Sequence, residues 1–179
     1  MRVLVIRHAH AAPQGAGVPD AERPLTSEGE RRFRAAARGL ARIVTPDVLL
    51  TSPLRRARQT AAIASAAWGA LDATPEPALA SGNLTEIFDA LEAHPPDATV
   101  ALIGHEPTVS TLVAELTRAN GAASTDRDPP ISFTPGAAAL LEVDSIARRS
   151  GRLVWFHTEA SAAALGGVGR SRGLPPTSN

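Results

Sequence analysis

Cysteine and lysine are both absent from this 179-residue chain. Without cysteine there is no disulfide, no thiolate nucleophile and no thiolate-ligated zinc. Without lysine there is no Walker A loop, no Schiff-base lysine and no Ser-Lys pair. All 18 basic residues are therefore arginines, and 18 acidic residues balance them to a formal net charge of zero. No basic run is long enough to predict a nucleic-acid arm, so nucleic acid is not expected as a partner. Long hydrophobic runs are missing as well. The N-terminal run, Val3 to Ile6, is too short for a signal peptide or a membrane span, and no other stretch approaches the roughly 18 apolar residues a span needs. The expectation is a soluble, cytoplasmic protein with no membrane contact.

What is present is the pattern of a folded domain. Hydrophobic residues make up 44% of the chain, enough for a full core in one unit. Val3–Ile6 reads as a buried strand without polar alternation. "LTSEGERRFRAAARGLARIV" reads as a helix that Thr26 or Ser27 can cap, with Ser27 and Glu30 at capping-box spacing. Its apolar positions Phe33, Ala37, Leu40 and Val44 recur at helical spacing. Further strands are predicted at 47–52, 98–105, 136–143 and 152–157, the last nearer a sheet edge. Further helices are predicted at 53–68 and 107–119, both opened by proline, and over "LTEIFDALEAH", where Leu84, Ile87, Phe88 and Leu91 form a stripe. Residues 120–132 read as polar loop. From about Glu159 the chain lacks apolar periodicity, which predicts a domain over 1–158 and a flexible tail over 159–179.

Strands alternating with helices predict an α/β fold, a three-layer sandwich with a mostly parallel central sheet and helices on both faces. In such sheets ligands bind beyond the carboxyl ends of the strands. Three strands end conspicuously here: Arg7-His8-Ala9-His10, Thr51-Ser52-Pro53 and Gly104-His105-Glu106-Pro107. A neutral imidazole is a competent nucleophile toward phosphorus. Arginine presents a planar fork to phosphate and never loses its proton. Neighbouring guanidinium groups depress a histidine pKa and also stabilise charge on phosphoryl oxygens. That chemistry requires no cofactor and no metal.

"LVIRHAHA", "SPLRRARQTA" and "ALIGHEPTV" together resemble the three signatures of the histidine phosphatase superfamily, the phosphoglycerate mutase-like fold. "RPLTSEG" and "FTPGAAALLEV" further resemble the small SixA-type phosphohistidine phosphatases. The resemblance covers residues 1–157. It implies His8 as the nucleophile that becomes phosphohistidine, Arg7 and Arg56 as phosphoryl ligands, and His105 as a second histidine donating to the phosphoryl oxygens. It also implies Arg23 as a substrate contact, with Ser52 supporting the pocket. The implied substrate is phosphohistidine on a protein, with a small phosphomonoester as the alternative.

One position departs from the family. Many members carry a carboxylic acid between the second arginine and the second histidine, where this chain reads "LASGNLTEIFDALE" with Asn83 at about the expected place. Glu86 is the nearest candidate proton donor. A missing acid would cost roughly 10²–10⁴ in rate on poor leaving groups, but less on a protonated phosphoramidate. Arg55 and Arg58 are expected to face solvent, His10 to neighbour the pocket, His94 to end a helix and His157 to end the last strand. Two other classes compete. One is a metal-dependent hydrolase using His8 and His10, with His105 and His157 completing a nitrogen set; the barrel that carries such motifs needs about 200 residues or more. The other is a non-catalytic module that binds phosphate without turning it over.

Overall fold

The computed structural model describes residues 1–15, 17–118, 131–147 and 149–167. Six strands form one sheet: β1 (Arg2–Arg7), β2 (Val48–Thr51), β3 (Ala73–Pro75), β4 (Thr99–Gly104), β5 (Ala138–Ser145) and β6 (Ser150–His157). Their order is β3-β2-β4-β1-β5-β6. The first four run parallel, while β5 pairs antiparallel with both β1 and β6. The helices are α1 (Ser27–Leu40), α2 (Arg55–Ala67), α3 (Ala78–Ser81), α4 (Leu84–Glu92), α5 (Thr108–Leu116) and α6 (Glu159–Gly167).

The unbroken apolar run of β1 is explained by its central place, because both of its faces are covered. Val3 and Val5 point to one face, with Val100 and Leu102 of β4, and meet Ile87 and Leu91 of α4 and Leu112 of α5. Leu4 and Ile6 point to the other face, with Ala101 and Ile103, and meet Phe33 and Leu40 of α1 and Ala64 of α2. The expected three layers and mostly parallel sheet are therefore the observed architecture. Each fully buried Leu, Ile or Phe contributes about 1.5–3 kcal/mol, so the two clusters dominate the stabilisation.

Three elements differ from the sequence reading. Ala73–Pro75 is a short edge strand on β2, exposed along its length, so no apolar pattern marks it. Ala78–Ser81 is a single helical turn ended by Gly82. The predicted tail begins instead with α6, which lies on α1. A Cβ at Gly39 would stand 1.8 Å from the carbonyl oxygen of Ala162, so the two helices touch backbone to backbone. Small residues permit such an approach, and it needs no leucine stripe. The packed structure thus continues past residue 158 to Gly167. The rest of the predicted tail, 168–179, and most of the predicted 120–132 loop lie outside the described residues.

Register sets the site. Arg7 pairs with Gly104, and both Ile6 and Thr51 pair with Ile103, so β1, β2 and β4 end level with one another. The residues that follow each strand therefore emerge side by side. Helix α1 then leads away from this edge. Thr26, rather than Ser27, is its cap and accepts from the Gly29 amide at 2.9 Å. The Thr26 amide donates to the His10 carbonyl at 3.0 Å, which pins the cap to the segment after β1 and leaves no reciprocal capping box.

Candidate active site

The peptide around His8 is held from three directions. Its amide donates to the Gly104 carbonyl of β4 at 3.0 Å. The Gly136 amide donates to the carbonyls of Arg7 at 3.2 Å and His8 at 3.1 Å. The Ala9 amide donates to Thr60 Oγ1 at 3.1 Å, and that hydroxyl donates to the Arg56 carbonyl at 2.7 Å. Thr60 therefore ties the β1 end to the first turns of α2. Gly136 has φ +78°, and a Cβ there would meet Glu159 Oε1 at 2.8 Å, so the turn requires glycine.

His8 Nδ1 lies 2.7 Å from the Ala9 carbonyl oxygen. A carbonyl only accepts, so Nδ1 carries the proton and Nε2 keeps its lone pair. The imidazole ring of His105 stands 5.0 Å from that of His8, centroid to centroid. His105 Nε2 shares a 2.7 Å hydrogen bond with Ser52 Oγ, and Ser52 is fully buried. The Ser52 amide in turn donates to Ile103 at 2.9 Å. Three adjacent strands thus supply His8, Ser52 and His105 to one point.

Two imidazoles this deep in the chain are held neutral. Burial pushes His8 down to about 4, opposed by its hydrogen bond to Ala9 and assisted by the charges of Arg56, Arg7 and Arg23. Burial likewise pushes His105 down to about 3, assisted by His8 and Arg56. Sequence reasoning assigns this depression to the arginines. Burial is the larger cause, since His8 and His105 are only 8% and 9% exposed.

The arginines converge on the same point. Arg7 NH1 donates to the Phe133 carbonyl, while the Phe133 amide donates to Glu106 Oε1 at 2.8 Å. Arg56 is buried, and NH1 donates to the Asp20 carbonyl at 2.8 Å while NH2 donates to Asp20 Oδ2 at 3.1 Å. Arg23 Nε donates to Asp20 Oδ1 at 2.9 Å and its NH1 to the Ala12 carbonyl at 2.7 Å. Buried polar atoms normally find partners. Arg7 Nε, Arg56 Nε and His105 Nδ1 are buried without a protein partner. Three nitrogens with unspent hydrogen-bonding capacity at one strand edge, two of them on guanidinium groups, suit an oxyanion.

A cavity of about 450 Å³ opens beside this cluster, walled by Arg56, His105, Asp20, Glu106, Ser81 and Thr108 among others. Glu86 is not brought to it. That side chain is exposed in the first turn of α4 and is absent from the walls. Asn83 caps α4, its Oδ1 accepting from the Thr85 amide at 3.2 Å, which gives that position a structural role. Arg55 and Arg58 are exposed on α2, as expected. His10 is exposed, and His157 Nδ1 meets Ser161 Oγ at 3.1 Å instead of the cluster. Among the described residues no group of three or more His, Cys, Asp or Glu side chains is placed to hold a metal ion. The open six-stranded sheet also excludes the barrel that the metal-site reading would need.

Sequence reasoning missed Asp20, Thr60 and Glu106. Asp20 and Arg23 have the spacing of an i, i+3 ion pair, but no local signal connects Asp20 to Arg56. Thr60 lies one helical turn after Arg56, where its hydroxyl can reach that carbonyl. Glu106 directly follows His105.

The α/β sheet and its edge of histidines and arginines define a phosphoryl-handling class of protein. The model of the histidine phosphatase superfamily (branch 1) matches residues 3–87. A solved protein histidine phosphatase SixA, complexed with tungstate, is 30% identical with a TM-score of 0.72, over 89% of this chain and 98% of that one. A protein of Nakamurella multipartitia assigned as the phosphohistidine phosphatase SixA is also 30% identical, with a TM-score of 0.69, over 87% of this chain and 94% of that one. An uncharacterised protein of Picosynechococcus sp. is 36% identical over 60% of this chain and 67% of its own length. The chain belongs to the histidine phosphatase superfamily, and it is a phosphatase. No helix among the described residues is long and apolar enough to cross a membrane.

Proposed function

We propose that this phosphatase works without a metal, through a phosphohistidine formed on His8, and that its substrate is phosphohistidine on a protein. The observation that carries the mechanism is the convergence of a proton-fixed His8, with Nε2 free, and unpartnered nitrogens of Arg7, Arg56 and His105. Arg7 and Arg56 bind the phosphoryl oxygens. His105, steadied by Ser52, donates to a phosphoryl oxygen from Nδ1. Arg23 reaches the substrate from the loop before α1.

His8 Nε2 attacks phosphorus, and a new P–N bond forms as the bond to the leaving group breaks. The bonding pair stays on the leaving atom. Water then attacks phospho-His8, breaking that P–N bond and releasing orthophosphate. Charge on the equatorial oxygens stays matched to the guanidinium groups throughout, which is where most of the acceleration arises. The choice of substrate rests on the leaving group. Glu86 stands away from the cavity, and the two carboxyl groups that do wall it are already engaged, Asp20 by Arg23 and Arg56 and Glu106 by Ser110 and the Phe133 amide, whereas a protonated phosphoimidazole leaves without an acid. The similarity to SixA proteins supports the same choice.

Steady-state hydrolysis by the wild type and by His8→Ala tests the proposal, with p-nitrophenyl phosphate and a phosphohistidine peptide as substrates and EDTA present. Turnover in EDTA, abolished by the substitution, is expected, with the peptide preferred by kcat/KM. Activity lost in EDTA and restored by zinc would overturn the mechanism. No turnover by the wild type would leave a phosphate-binding module, and preference for a phosphoglycerate would overturn the substrate.

A further inference from the structure

Asp20 sits where the phosphoryl cluster meets the cavity, and nothing in the mechanism above uses it. Its carboxylate spans two arginines, taking Arg23 Nε at 2.9 Å and Arg56 NH2 at 3.1 Å, while its side chain stays 43% exposed on the open side. Its charge is felt at His105, whose protonated form it favours. Desolvation pushes the Asp20 carboxyl up, but the hydrogen bond from Arg23 and the charge of Arg56 outweigh it and hold the group below the usual carboxylate range. Asp20 is therefore an anion at working pH.

The cavity has a definite charge. Its formally charged walls are Asp20, Glu106 and Arg56. Arg56 is committed to phosphate when substrate binds. Glu106 is fixed in place by the Ser110 hydroxyl at 2.5 Å and the Phe133 amide at 2.8 Å. These walls then face the space next to the phosphoryl group with two carboxylates, Asp20 still paired with Arg23 and Glu106 with no arginine among the walls. A protonated nitrogen ring is favoured there over a group bearing its own carboxylate or a second phosphate.

We infer that Asp20 is a specificity-determining residue that selects leaving groups carrying a protonated, positively charged nitrogen ring. The inference rests on the His8 mechanism proposed above and adds the source of its selectivity. In a phosphoimidazole the ring must be protonated before the P–N bond breaks, because the leaving group is then neutral imidazole instead of imidazolate. A carboxylate beside the ring favours that protonated form. When the bond breaks, the pair stays on the ring nitrogen, and the proton already on the other nitrogen leaves with it. An aryl phosphate gains nothing from Asp20, since its leaving oxygen becomes negative.

The test compares wild type with Asp20→Asn on phosphoimidazole and on p-nitrophenyl phosphate. The substrates share the phosphoryl group and differ in the leaving group, so any change in the arginines affects both alike. The ratio of kcat/KM, phosphoimidazole over aryl phosphate, is expected to fall roughly five- to tenfold in Asp20→Asn, the scale of one partly screened charge. Asp20→Glu should restore most of it. The alkaline limb of the phosphoimidazole profile should move to lower pH in Asp20→Asn. The charged and titratable groups facing Asp20 are Arg23 and Arg56, with neutral His105 and Glu106 around the cavity, and p-nitrophenyl phosphate reports any shift in these. Both rates falling together with an unchanged ratio would overturn the inference, leaving Asp20 only to position Arg56. A wild type that hydrolyses neither substrate, or a His8→Ala variant that still does, would instead refute the underlying mechanism.

Discussion

The protonation of His8 offers the most quantitative check. Burial pushes this imidazole from about 6.5 to about 4, so at pH 5 it is about 90% neutral, where an ordinary histidine would be about 3% neutral. The shift has a stability counterpart. Because the folded value lies below the unfolded one, the unfolded chain binds the proton first as pH falls. Stability is therefore fully present above about 6.5 and is lost progressively as pH drops toward 4, by about 3 kcal/mol in the limit. His105, down to about 3, extends the loss to lower pH, and each charged ring opposes protonation of the other. The assay is an NMR titration of the imidazole signals, with His8 assigned by its disappearance in His8→Asn. Its signals should stay in the neutral position from pH 8 to 5. A midpoint near 6.5 would refute the burial argument. Arg56→Gln should raise the His8 midpoint by less than half of its depression, since charge is the lesser cause; full recovery would show that the arginines dominate after all.

Three further outcomes follow from the geometry. Arg56→Gln should lower kcat/KM for p-nitrophenyl phosphate by about 10²–10³, measured in initial-rate kinetics, as expected for the loss of one transition-state donor. Thr60→Val leaves the Ala9 amide without its acceptor at 3.1 Å and should cost about 1–3 kcal/mol in urea unfolding, with a fall in kcat as the β1 end loosens. Gly39→Ala forces a Cβ to within 1.8 Å of the Ala162 carbonyl and should cost about 1–3 kcal/mol, seen as a lowered Tm; unchanged stability would contradict the contact between α1 and α6.

The parts of this molecule that depend on strand periodicity and strand ends are visible in the sequence. Val3–Ile6 reads as a central strand because both of its faces are buried, so polar residues are excluded from every position. Arg7, His8 and His105 stand out because polar groups follow such strands abruptly. Residues whose meaning depends on a distant partner do not stand out. Asp20 looks like ordinary loop until the fold brings Arg56 to it. Helix α6 has no apolar stripe because it docks through Gly39 and Ala162, where backbones touch, and small residues carry no periodic signal. β3 is three exposed residues ending in proline, so side-chain burial leaves no trace. The depth of His8 is also hidden, and with it the main cause of its neutrality. The position of a strand end is local, whereas the cover over it comes from other elements.

Trapping the phosphoenzyme tests the His8 mechanism most directly. The enzyme is mixed with 32P-labelled phosphohistidine peptide, quenched in alkali within milliseconds, digested and mapped. Label is expected on the N-terminal peptide at His8, stable in base, lost in acid, and absent from His8→Ala. Acid-stable label on a serine or threonine, or turnover with no label on the protein at all, would contradict attack by His8.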